Sequence, residues 1–141
     1  MLDNFFRPNS VAVIGASRDS EKLGYAVLDN LQRGGYGGNL YPINPKADEI
    51  LGLEAYASVL DVPDPIDMAV IVVPSKIVPH VLRECGEKEI SAVVIITAGF
   101  REAGREGLER EKELIDIAGE YDLRLIGPNC PGVITPGECK V

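Results

Sequence analysis

The segment Gly15, Ala16, Ser17, Arg18, Asp19, Ser20 is the first place in the chain where residue type and spacing could do chemistry. It follows the apolar run from Ser10 to Ile14 and precedes a stretch of helical periodicity from Glu21 to Arg33. A strand, a glycine, small residues and then a helix set unpaired amides and the positive end of a helix dipole before an anion. A pyrophosphate is the usual guest of such a loop. Gly15 is followed by Ser17 and Ser20 rather than by further glycines, so the dinucleotide fingerprint GxGxxG is absent. The plainer alternative is a tight turn at Gly15 and a helix cap at Ser17.

A second candidate follows the next apolar run, at Asn44-Pro45-Lys46. An NAD site keeps Asp or Glu there to accept hydrogen bonds from the adenosine ribose. A lysine suits a ribose that carries a phosphate, as in NADP or coenzyme A, so NAD is disfavoured. Three more segments end apolar runs in the same way: Pro74-Ser75-Lys76, Thr97-Ala98-Gly99 and the turn Gly127 to Gly132. His80 is the single histidine and stands on no triad or metal spacing, which leaves it a surface or helix-packing residue. Cys85 reads as a small apolar residue of a helix face. Cys130 lies in a Gly/Pro turn with no base near it in sequence, and the three cysteines contain no CxxC pair.

These loops need a scaffold that brings strand ends together. Runs at Ser10–Ile14, 39–43, Met68–Pro74, 92–97 and Arg124–Ile126 read as strands, the third and fourth continuously apolar as in strands covered on both faces. Helical periodicity appears from Glu21 to Arg33 (Leu23, Ala26, Val27 and Leu31 inward), from Ile77 to Glu87, and from Glu106 to Tyr121 (Leu108, Leu114, Ile115 and Ala118 inward). The glycines from Gly34 to Gly38 stop the first helix. Pro63 and Pro65 keep the stretch from Lys46 to Asp67 loop-rich. Alternating strands and helices give an α/β, Rossmann-like, doubly wound parallel sheet in three α/β/α layers, as a single domain. Ligands of such a sheet bind beyond the carboxyl ends of its strands, where the candidate loops lie.

Composition fits one globular domain: 141 residues, 45% hydrophobic and 26% charged. Lys plus Arg is 14 against 22 Asp plus Glu, a net charge of −8, which disfavours nucleic acid and anionic membrane as partners. No apolar run approaches the roughly 18 residues of a membrane span. Met1 to Pro8 has no secretory character, so a reduced, cytoplasmic location is expected. From Gly127 onward prolines and glycines alternate, the texture of a connection to a further domain.

Five segments taken together carry a resemblance: residues 11–18 (VAVIGASR), 41–46 (YPINPK), 69–74 (AVIVVP), 95–99 (IITAG) and 127–138 (GPNCPGVITPGE). In this order they resemble the CoA-binding domain of the NDP-forming acyl-CoA synthetases, a group that includes the succinyl-CoA synthetase alpha subunit and the ADP-forming acetyl-CoA synthetases. The last segment looks closest to the succinyl type, the opening loop to the acetyl type. The resemblance implies a CoA-binding Rossmann-like domain over residues 1–126 and a connecting segment over 127–141 toward an absent ligase domain. It implies that Ser17 to Ser20 hold CoA, with Lys46 at its phosphorylated adenosine end. Val73, Pro74, Ser75, Thr97, Ala98 and Gly99 would line the nucleotide and pantetheine path, and Asn129 and Cys130 would lie near the thiol.

The reaction so implied is the ATP- or GTP-driven ligation of CoA to a carboxylate such as acetate or succinate. It runs through an acyl phosphate and a phosphohistidine that belongs to another domain, with no metal in this one. His80 does not match that histidine. The expected partners are CoA and the remaining ligase domains or a beta-type subunit; alone, the chain is expected to bind CoA and catalyse nothing. Two alternatives remain open: an NADP-type oxidoreductase half, for which a substrate domain with a general acid is missing, and a free-standing CoA- or NADP-binding sensor.

Overall fold

The computed structural model describes residues 8–97 and 104–127. The described chain runs β1 (Ser10–Ile14), α1 (Leu23–Arg33), β2 (Asn39–Ile43), β3 (Glu49–Ile50), β4 (Leu53–Glu54), a 3-10 turn (Val59–Asp61), β5 (Met68–Ile71), α2 (Val78–Glu87), β6 (Ala92–Ile95), α3 (Arg105–Tyr121) and β7 (Arg124–Ile126). β1, β2, β5, β6 and β7 form one parallel sheet in the order β2-β1-β5-β6-β7. The doubly wound α/β fold is thus the one expected. Chain direction across the sheet reverses between β1 and β5, which makes their carboxyl ends the topological switch point where such sheets bind ligands.

The continuous apolar runs are explained by burial on both faces. Val11 and Val13 of β1, Met68 and Val70 of β5, and Ala92 and Val94 of β6 enter one core with Val27, Leu28 and Leu31 of α1. The residues between them, Ala12, Ile14, Ala69, Ile71, Val93 and Ile95, enter the other core with Leu82 and Cys85 of α2 and Leu114 and Ile117 of α3. Period-two alternation therefore distributes each strand between two hydrophobic layers. Each fully buried leucine or isoleucine contributes about 2 kcal/mol by leaving water.

Three details differ from the sequence expectation. Leu108 and Ile115, expected to face inward, are 41% and 59% exposed, and Gly107, Leu114 and Ile117 take the buried stripe of α3. Leu23 is 51% exposed because α1 begins there, at the mouth of the cleft described below. The stretch from Lys46 to Asp67 also holds the β3/β4 hairpin, turned by Leu51 and Gly52 at positive φ.

Helix ends follow backbone rules. Gly34 stays right-handed and Gly35, at φ +78°, takes the left-handed position, with Gly35 N–H donating to Gln32 O and Tyr36 N–H to Leu31 O. Glu89 holds the same position after α2 at φ +66°, where a side chain is disfavoured. Glu89→Gly is therefore expected to stabilise the domain by up to about 1 kcal/mol, raising Tm by a few degrees in a calorimetric scan. A lowered Tm would show that the Glu89 side chain holds something that the backbone argument leaves out.

Candidate functional site

A cleft of about 900 Å³ opens over the carboxyl ends of β1, β2, β5 and β6. Its floor is the loop after β1. Gly15 sits at φ +99°, and a Cβ there would lie 2.9 Å from Val72 O, so only glycine lets the chain turn this close to β5. Gly15 N–H donates to Ile43 O, and Ile14 O accepts from Val72 N–H, which pins the loop to both neighbouring strands. Ala16 is 1% exposed, and its N–H donates to no described group. Ser17 Oγ accepts from Asp19 N–H, and Asp19 Oδ1 accepts from Glu21 N–H, so both side chains shape the turn into α1.

The far rim comes from the residues after β2. Asn44 Nδ2 donates to Ala16 O at 2.9 Å, and Asn44 Oδ1 accepts from Lys46 N–H at 2.8 Å. One side chain thus ties the β1 loop to the turn that carries Lys46. Among the described residues the ammonium groups of Lys46 and Lys22 have no ion-pair or hydrogen-bond partner, and both line the cleft. No carboxylate stands at the end of β2, where a ribose diol would need one. The third wall is α2, which presents Ile77, His80, Val81 and Glu84, while Val72, Val73, Pro74, Ile96 and Thr97 close the side over β5 and β6. Thr97 Oγ1 donates to Val73 O at 2.7 Å and ties those strand ends together.

Of the residues singled out in the sequence, Gly15, Ala16, Ser17, Lys46, Val73, Pro74 and Thr97 come together around this cleft. Arg18, Asp19, Ser20 and Ser75 do not line it; Arg18 Nε donates instead to Glu49 O at 2.8 Å, toward β3. Ala98, Gly99, Asn129 and Cys130 lie outside the described residues, as does the connecting segment beyond Gly127. Gly24 and Glu84 carry no signal in the sequence, Asn44 stands in the candidate segment that ends β2, and His80, read as a surface or packing residue, is exposed and lines the cleft.

The resolved pKa shifts fall on groups outside the lining. Burial pushes the Cys85 thiol up to about 12, so it stays protonated inside its core, as a structural cysteine does. Burial and the hydrogen bond to Asp64 raise Tyr41; burial and the Glu54 carboxylate raise Tyr56. Among the described residues no cluster of His, Cys, Asp and Glu could hold a metal ion, and no helix is long and apolar enough to cross a membrane. A cleft with an unpaired main-chain amide at its floor, two unpaired lysines and no carboxylate directly after β2 suits a phosphorylated nucleotide.

Comparison with known proteins agrees with this geometry. Residues 9–136 match the family model described as CoA binding domain. The chain is 54% identical over 134 residues to the alpha subunit of ADP-forming acetate–CoA ligase II of Pyrococcus furiosus, covering 95% of this chain and 29% of that one. It is 54% identical over 127 residues to ADP-forming acetate–CoA ligase of Methanocaldococcus jannaschii, covering 90% of this chain and 18% of the relative. The dinucleotide-forming acetyl-coenzyme A synthetase 1 of Ca. Korarchaeum cryptofilum, solved with phosphate and ADP, superposes with a TM-score of 0.88 at 46% identity, over 92% of this chain and 27% of that one. The chain thus spans less than a third of the length of these relatives.

Proposed function

The chain belongs to the CoA-binding domain family, as found in NDP-forming acyl-CoA synthetases, and from that premise we propose that it holds CoA for ligation to a small carboxylic acid such as acetate. The observation that carries this reading is the cleft over the switch point, with Lys46 unpaired where a ribose phosphate would lie. In this reading the main-chain amides of Ala16 and Ser17 hold the pyrophosphate, and Gly15, whose own N–H is spent on Ile43 O, lets the chain turn beneath it. Arg18, Asp19 and Ser20 keep the loop in shape. Val73, Pro74 and Thr97 border the pantetheine path, Ser75 follows them outside the lining, and the reading assigns Ala98 and Gly99 to the same path and Asn129 and Cys130 to the thiol end.

The domain's chemical task is positioning. A thiol held at one place relative to the acyl donor reacts as an intramolecular group, which is worth several kcal/mol of barrier without any acid or base in this domain. Phosphorylation of the acid and transfer through a phosphohistidine fall to partner domains or a beta-type subunit, with residues 127–141 as the connection. Removing this domain is then expected to abolish turnover and to leave phosphorylation elsewhere intact.

The test is calorimetric titration with CoA, dephospho-CoA, NADP and NAD. CoA is expected to bind tightest. Lys46→Ala is expected to weaken CoA roughly tenfold and dephospho-CoA less than about twofold, the loss of one charge-assisted contact. Equal losses for both ligands would remove Lys46 from the 3′-phosphate, and a preference for NADP would replace the ligase reading with a redox one.

A further inference from the structure

Ile77, the N-cap of α2, and His80, Val81 and Glu84 within it lie at intervals of three, one and three residues, so they share one face over two turns, and that face lines the cleft. Ser58 Oγ donates to Glu84 Oε2 at 3.0 Å, and His80 Nε2 lies 3.7 Å from the same oxygen. Ser58 holds the carboxylate by one oxygen with His80 beside it, the side chain is 21% exposed, and its Oε1 has no partner among the described residues. A largely covered carboxylate with one oxygen fixed and the other free is a fixed acceptor.

Tyr56 bridges to Ile43 and accepts from Asn44 N–H, which brings Ala57 beside the turn that carries Lys46, and both residues line the cleft. With the phosphorylated ribose at Lys46, the base joined to it falls between the α2 face and the turn at Ala57. The apolar side chains of Ile77, Val81 and Ala57 suit the faces of a flat ring, and Glu84 stands at its polar edge. A carboxylate only accepts hydrogen bonds. On its N7 edge adenine offers an exocyclic N–H₂ donor, whereas a 6-oxopurine offers a second acceptor there, which a carboxylate repels, its N1–H donor facing the other edge.

We propose that Glu84 reads the exocyclic amino group of the adenine base and makes the cleft select adenine over 6-oxopurine nucleotides, with Ser58 and His80 as its positioning residues. The proposal rests on the CoA reading above, which places the ribose at Lys46. Its logic is that of sites built to pair one substrate group: the analogue lacking that group leaves a covered acceptor unmatched.

The experiment is calorimetric titration of the chain, unsubstituted and as Glu84→Ala and Glu84→Gln, with adenosine 3′,5′-bisphosphate, inosine 3′,5′-bisphosphate and CoA. The parent is expected to bind the adenosine ligand about tenfold or more tighter than the inosine ligand. Glu84→Ala is expected to bring the two within about twofold, by a loss on the adenosine side and a gain on the inosine side as the repulsion is removed. Glu84→Gln keeps the size and can turn an amide N–H toward the 6-oxo group, so its preference is expected to shift toward inosine, a change that mere loss of packing cannot produce. Equal binding of both bisphosphates by the parent, or equal weakening of both in Glu84→Ala, overturns the role of Glu84 while tight CoA binding leaves the CoA reading standing. A parent that binds neither CoA nor the bisphosphates overturns both.

Discussion

Gly24→Ala is expected to destabilise the domain by about 3 kcal/mol, lowering Tm by roughly 10 °C, and to weaken CoA binding more than tenfold. A Cβ on Gly24 would stand 1.9 Å from Gly15 O, 2.8 Å from Gly15 C and 3.1 Å from Ala16 Cα, all main-chain atoms that no rotamer change can clear. Relief requires α1 to move off the β1 loop. That motion drags Val27, Leu28 and Leu31 out of register with the sheet, in an interior too dense to absorb it. Because the atoms displaced are those of the loop proposed to hold the pyrophosphate, stability and binding are expected to fall together. Gly119→Ala makes the same chemical change on the exposed side of α3, where nothing lies within 4 Å, and is expected to raise stability by about 0.5–1 kcal/mol. Opposite signs from the two glycines, read by thermal scans and CoA titration, check the argument. A Gly24→Ala protein with the parent's Tm would show that α1 does not approach β1 so closely.

The same contrast explains what could be read from the chain. β1, β5 and β6 were legible because both faces of each are buried, so their sequences are apolar without interruption. The inward face of α3 was misread because Gly107 carries no hydropathy, which left Leu108 and Ile115 as the apparent stripe. The β3/β4 hairpin was missed because its strands are two residues long and Leu51, rather than Asn or Asp, takes a left-handed turn position. At the site, Gly15 and Lys46 stand at strand ends, where topology alone gives them a role. Gly24, Asn44 and Glu84 each make a contact remote in sequence, Gly24 with Gly15, Asn44 with Ala16 and Glu84 with Ser58, and no local pattern announces such pairs.

Asn44 leads to the second large effect. Its side chain spends its amide on Ala16 O and its carbonyl on Lys46 N–H, so one residue sets the distance between the β1 loop and the turn that carries Lys46, the two places proposed for the pyrophosphate and the ribose phosphate. The backbone around it is fixed independently, since Asn44 N–H donates to Tyr56 O at 2.8 Å. Asn44→Ala therefore leaves the fold in place, at a cost of about 1–2 kcal/mol for the two lost bonds, and releases the loop and the Lys46 turn from each other. Binding CoA must then order both, and lost preorganisation appears as lost affinity. The expected result is a roughly twentyfold weaker CoA and a roughly fivefold weaker dephospho-CoA, since only the former also needs Lys46 in place. Asn44→Ala combined with Lys46→Ala is expected to lose less than the sum of the two, because the cation has already been mispositioned. A combined loss equal to the sum would mean that Asn44 acts on the loop alone. An Asn44→Ala protein that binds CoA like its parent would mean that the two rims of the cleft hold their places without this bridge.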